Sequence, residues 1–163
     1  MAILDILVYP DPALREPARE VTEFGGKLKK LVSDMCETMY VSKGVGLAAP
    51  QVGVPLKLFV ADWEGGKYVV INPEITETEG EERADEGCLS FPGIYEEVAR
   101  PGRIRIRYLD EDGERHDEMV EGFLARVYSH ETDHLNGKLF IDNLSPLKRS
   151  FIRKKMSKKA RSD

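Results

Sequence analysis

The chain has 163 residues, 41% hydrophobic and 33% charged, with a formal net charge of −5. That length and apolar content suit a single domain over 1–163, and apolar residues recurring among charges of both signs exclude a disordered chain. Two cysteines, Cys36 and Cys88, are too few for a disulfide framework, so each is either packing or chemistry.

The opening MAILDILVYPDPALRE puts Asp5 inside its apolar run and soon meets Pro10. It lacks the cationic start and long apolar stretch of an export signal. No apolar run approaches the roughly 20 residues of a membrane-spanning helix, so a soluble cytoplasmic protein is expected, with a monomer as its assembly state. Leu28, Leu31, Val32, Met35, Cys36 and Met39 follow helical spacing. They predict an amphipathic helix over 26–42 closed by Gly44, with Cys36 on the packing stripe. LKLFVAD (56–62) and KYVVINP (67–73) read as strands joined through Gly65-Gly66.

RIRIRYLD (103–110) alternates strictly, with Ile104, Ile106 and Tyr108 facing one way and arginines the other. Asp112-Gly113 then turns the chain into a partner strand over 116–120 that carries a solvated His116. A second helix is predicted over 122–135, ending before Asn136-Gly137, with Phe123, Val127, His130 and His134 on one face. A third starts at Ser145-Pro146, and Leu147, Phe151 and Ile152 give it a narrow apolar side. Eight lysines and arginines from Lys148 onward face Asp163 alone, so a basic tail joins an acidic body. The tail reads either as a contact for a polyanion or as a solvated helix face. The fold class expected is α+β: short antiparallel or mixed sheets around a central histidine-bearing helix, plus a C-terminal helix from about 145.

The sharpest local signal is His130-Glu131-Thr132-Asp133-His134. Histidines four apart on a helix point the same way and can share a metal ion, while Glu131 stays close enough to shuttle a proton. A third histidine six residues beyond the second would complete one common hydrolase site, but Phe140 stands there. A glutamate from a later helix would complete another, but no glutamate follows Glu131. The third ligand is therefore sought upstream, where Cys88 lies in an extended segment between Gly87 and Pro92-Gly93. Two imidazoles and a thiolate leave a fourth position open for water. The other reading of Cys88 is a buried structural cysteine. In GVGLAAPQ (44–51) the small residues admit a close backbone and Gln51 offers an amide donor. A tight structural loop would read the same way.

Taken together, GVGLAAPQ (44–51), EGCLS (86–90) and HETDH (130–134) resemble, in order and spacing, the three signature motifs of bacterial peptide deformylases. The likeness runs from YPDP (9–12) to NLSPLKR (143–149). It departs at Ser129, where the family usually has glutamine, which bears on how His130 is supported, and at Gly93-Ile94-Tyr95, which makes Tyr95 the lining of the outer substrate groove.

The resemblance implies hydrolysis of the N-formyl group from the formylmethionine of nascent peptides, releasing formate. It implies one divalent ion per chain on Cys88, His130 and His134, ferrous iron in the cell, with zinc, nickel or cobalt admissible in purified protein. Gln51 and the Leu89 N–H would donate to the oxyanion and Glu131 would carry the proton. Gly44 and Gly46 would let substrate approach, and Val45, Phe123 and Val127 would form the methionine slot. The basic helix would contact polyanionic ribosomal RNA. Two rivals remain open on the sequence: a different metallohydrolase, such as a peptidase, and a non-enzyme whose metal only supports folding.

Overall fold

The structure is a computed structural model that describes residues 2–162. Among the described residues three short 3₁₀ turns and three helices frame seven strands: α1 (Gly26–Val41), β1 (Gly46–Ala48), β2 (Leu58–Trp63), β3 (Gly66–Glu79), β4 (Glu82–Gly87), β5 (Tyr95–Arg100), β6 (Arg103–Leu109), β7 (Arg115–Glu121), α2 (Gly122–Leu135) and α3 (Pro146–Ser162). Five strands form one antiparallel sheet in the order β1-β2-β3-β6-β7, and β4 and β5 pair as a separate hairpin. All strand pairs are antiparallel; the parallel contact among the described residues is an isolated bridge between Arg19 and Leu56. The α+β class expected from the sequence is the class observed.

The apolar stripe of α1 is buried as its spacing predicts, with Leu28, Val32, Met35, Cys36 and Met39 facing Leu47, Leu58, Val60 and Ile71. The helix ends in a Schellman pattern: Gly44 N–H donates to Met39 C=O (2.9 Å) and Lys43 N–H to Tyr40 C=O (3.1 Å). The left-handed residue is Lys43 (φ 59°), not Gly44 as expected. On the other face of the sheet Phe59, Ala61, Val70, Ile104 and Ile106 pack against Ala125, Val127 and Tyr128 of α2. β2 is thus covered on both sides, which is why its sequence runs apolar without alternation. Each large side chain fully removed from water there contributes roughly 2–3 kcal/mol.

The β2–β3 hairpin turns at Glu64-Gly65, one residue earlier than expected, with both in left-handed backbone (φ 53° and 77°), as a two-residue hairpin requires. β3 runs well past 73: Asn72 (φ 52°) marks a register break, after which the strand leaves β2 and continues along β6. Asn72 also pins the N-terminal segment, accepting from Val21 N–H (2.8 Å) and donating to Val21 C=O (3.0 Å).

Three expectations need correction. β1, β4 and β5 were not foreseen as strands. α3 packs through Ile152 and Met156, one turn apart on one face, whereas Leu147 is 81% and Phe151 64% exposed. His116 is not freely solvated: it stacks on Tyr108 (5.0 Å between centroids) and its Nε2 lies 2.8 Å from Asp110. The predicted basic tail is helical through Ser162, and its closing Asp163 lies outside the described residues.

Candidate metal centre

Helix α2 delivers His130 and His134 one turn apart, their ring centroids 5.0 Å from each other. Both are buried; the helix packs on the sheet and is tied to the β4–β5 hairpin through Arg126 and Asp133. Cys88 arrives from the turn after β4, shaped by the 2.9 Å bond from Phe91 N–H to Cys88 C=O. Its Sγ lies 3.4 Å from His134 Nε2, and one ligand atom from each of the three residues falls within 4.8 Å of the others. Donors bound to one ion at about 2.0–2.3 Å in tetrahedral array sit about 3.5 Å apart; Cys88 and His134 already stand at that spacing, and His130 converges on the same point.

Glu86, two residues before Cys88, fixes the orientation of His130: its carboxylate lies 2.7 Å from His130 Nδ1, leaving the ring's other nitrogen for the centre. The carboxylate is itself clamped. Arg100 of β5 donates to it through Nε (3.0 Å) and Nη2 (2.7 Å), and Arg126 of α2 through Nη1 (3.1 Å). Arg100 also reaches Asp133 (2.7 Å), tying β5 to the histidine helix, and Arg126 caps the carbonyls of Val98 (2.9 Å) and Glu82 (2.8 Å). Burial alone would raise the Glu86 pKa, but the bonds from His130 and Arg100 outweigh it and hold the group at about 2. His130 is opposed by burial too, yet Cys88, Glu131 and Glu86 raise it well above its usual value. His134, lowered by burial and then by His130 and Arg100, stays neutral, the form that ligates metal.

Gln51, in the 3₁₀ turn Ala49–Val52, is oriented at both ends. Its Oε1 accepts from Ala48 N–H (2.9 Å), and its Nε2 donates to Ser90 Oγ (3.1 Å) while facing Cys88 Sγ (3.6 Å). Glu131 is buried and its Oε1 has no hydrogen-bond partner among the described residues. Burial pushes its pKa up to about 7. Its Oε2 sits 2.6 Å from where a Cβ at Gly46 would lie, with Val127 Cγ1 at 3.0 Å, so β1 reaches the helix there only because residue 46 has no side chain.

These groups line a cavity of about 500 Å³. Gln51, Cys88, Leu89, His130 and Glu131 line it together with Gly44, Val45 and Gly46 and, from α2, Phe123 and Val127, and Tyr95, which also lines it, is 71% exposed. All the residues singled out from the sequence except His134 line this cavity, and His134 joins it through the Cys88 cluster.

A sequence profile described as polypeptide deformylase matches residues 3–150. The chain belongs to the polypeptide deformylase family. The peptide deformylase of Alkalilimnicola ehrlichii is 52% identical over 99% of this chain and 93% of its own. That of Thermotoga maritima is 52% identical over 96% of both. A crystal structure of a peptide deformylase from Legionella pneumophila superposes with a TM-score of 0.93 at 47% identity, over 98% of this chain and 96% of that one.

Within this deformylase fold, sequence reasoning missed Glu86, Arg100 and Arg126 as the supports of His130. The Ser129 departure does not leave that histidine unsupported, because Glu86 holds it, and Ser129 Oγ has no partner among the described residues. Glu86 lay in plain view inside EGCLS. The one signal for Arg100 was its spacing of two from Val98, which puts both on the inner face of a strand.

Proposed function

We propose that this deformylase works through one divalent metal ion held by Cys88, His130 and His134, and cleaves the formyl–nitrogen bond of N-formylmethionyl peptides at the floor of the cavity. The observation that carries the reading is the convergence of these three donors beside a buried carboxylate, Glu131, with an unpaired oxygen. When bound, such an ion is a Lewis acid that makes water nucleophilic near neutral pH. Ferrous iron is the ion we assign in the cell; the donor set also admits zinc, nickel and cobalt in purified protein.

The chain's own groups divide the remaining work. Glu131 takes the proton of the attacking water and passes it to the departing amine; its raised pKa, about 7, suits both transfers. The Gln51 amide and the Leu89 N–H donate to the oxygen on which charge develops. Gly44 and Gly46 leave room for the peptide backbone, and Val45, Phe123 and Val127 bound the methionine slot. Tyr95 contacts residues further along the peptide. Among the described residues no helix is long and apolar enough to cross a membrane. The exposed Leu147 and Phe151 among the lysines and arginines of α3 support a contact with ribosomal RNA, which should weaken steeply with salt.

The experiment is formate release from formyl-Met-Ala by anaerobically purified protein, with metal content measured on the same sample. Turnover at about one metal per chain, abolished together with metal binding in Cys88→Ala, is expected. A metal-loaded protein that releases no formate would overturn the reading.

A further inference from the structure

Residues 2–8 belong to no helix or strand, yet this segment reaches the turns that carry both proposed oxyanion donors. Leu7 N–H donates to the Gln51 carbonyl (2.7 Å), and Tyr9 N–H donates to the Ser90 carbonyl (2.9 Å). Gln51 and Ser90 also meet each other directly, Nε2 donating to Oγ at 3.1 Å. Leu7, Gln51, Ser90 and Tyr9 thus close a ring in which the chain just before Pro10 bridges the two turns.

Tyr9 grips its end of the ring twice. Besides the backbone bond, its side chain stacks on Phe91 with centroids 4.8 Å apart and planes 20° off parallel, and Phe140 meets Phe91 edge-on at 5.0 Å. Phe91 N–H in turn bonds Cys88 C=O (2.9 Å), and Leu89 lies inside the turn so closed. Leu7 and Tyr9 pack into the same cluster as Phe91 and Phe140, so packing as well as hydrogen bonding fixes the bridge. Tyr9 is buried and lines no part of the catalytic cavity, whereas Ile6 of the same segment does. An oxyanion site works when its donors already stand where the charge will develop. A misplacement of about 1 Å, caused far from the reacting atoms, can cost about a hundredfold in rate.

We propose that stretch 7–9 is a strap that sets the separation of the Gln51 amide and the Leu89 N–H, which makes Tyr9 a positioning residue for the reaction. The YPDP motif (9–12) thereby gains a role that the metal centre does not give it. The inference rests on the deformylase reading of the cavity, and its test keeps the two apart.

The test measures kcat and KM for formyl-Met-Ala on metal-loaded protein, below the melting temperature of every variant. Tyr9→Ala should keep its metal and a KM within about twofold of wild type, while kcat falls about 10–100-fold. Tyr9→Phe, which keeps the stack, should recover most of that loss. In a Gln51→Ala background, Tyr9→Ala should cost less than about fivefold, because one of the donors it positions is already gone. An unchanged kcat in Tyr9→Ala would overturn the proposal, as would a loss that multiplies in full with Gln51→Ala. Where Tyr9→Ala does not fold, Tyr9→Leu takes its place with a smaller loss of the same kind, and a normal kcat there counts equally against the strap. A wild-type protein that releases no formate would instead strike the deformylase reading. The strap then still answers through NMR of the zinc-loaded protein. The Gln51 side-chain amide resonances should shift in Tyr9→Ala and stay in place in Tyr9→Phe; resonances indifferent to Tyr9→Ala would refute the strap.

Discussion

Arginine–carboxylate clusters occur in two regions of this fold, around His130 and across the outer face of the β6–β7 pair, with opposite relations to water. At His130 the Arg100 and Glu86 side chains are only 5% and 6% exposed, and bonds from Arg100, Arg126 and His130 converge on one carboxylate. On the outer face Arg105 and Arg107 share Asp117, and the Arg105–Asp117 side chains are 42% and 37% exposed. Water screens the second group, so its geometry can change at little cost. The first has no water to fall back on, and removing one member leaves the others charged and buried. Identical chemistry therefore holds a histidine rigidly in one place and decorates a surface in the other.

Glu86→Ala should be the most damaging change to either cluster. It strands Arg100 and Arg126 and frees His130, so we expect a loss of about 3–5 kcal/mol in urea unfolding. Metal affinity should fall roughly 10–100-fold. A variant with wild-type stability and metal content would erase the distinction between the clusters. Gln51→Ala sharpens it from the catalytic side, since Gln51 touches the centre but not the arginines. Its metal content should hold while kcat falls a hundredfold or more, about 3 kcal/mol in the barrier. Near-normal turnover would remove Gln51 from the proposed chemistry.

Acid offers a subtler probe. Glu86 is held at about 2 in the fold against an ordinary 4.5, so its folded pKa is depressed. The stability it contributes is complete above about 4.5 and is lost as the pH falls towards 2. Chelated wild-type protein should accordingly lose stability through that window more steeply than Glu86→Gln; parallel curves would mean the clamp contributes no linkage. The smallest effect belongs to Asp117→Ala, whose melting temperature should match wild type within error at moderate salt. A clear drop would show that the outer ladder bears structure after all.

What could be read in the sequence divides along a similar line. α1, α2, β2, β6 and the paired histidines were legible because their signals are local: helical spacing, a short β-branched run, strict alternation, histidines four apart; Cys88 had no such signal and needed the three motifs together. ERADEG and YEEVAR, which form β4 and β5, carry charged residues on what reads as a solvated stretch. The reason Glu86 and Arg100 are buried is a partner on α2, more than 25 residues along the chain, and no local pattern records that. α3 misled for a related reason. Leu147 and Phe151 look like the start of an apolar side, but contact with Phe91, Ile94 and Phe140 selects Ile152 and Met156 instead.

Gly46 lies against Glu131 where β1 meets α2. A carboxylate that collects a proton from one atom and hands it to another has to swing, and a swing needs clearance. Here the clearance amounts to the volume of a single methyl group, the one Gly46 does not carry. The room left to the proposed proton carrier is thus set by a strand it is not part of, since any side chain at position 46 would crowd the Glu131 carboxylate.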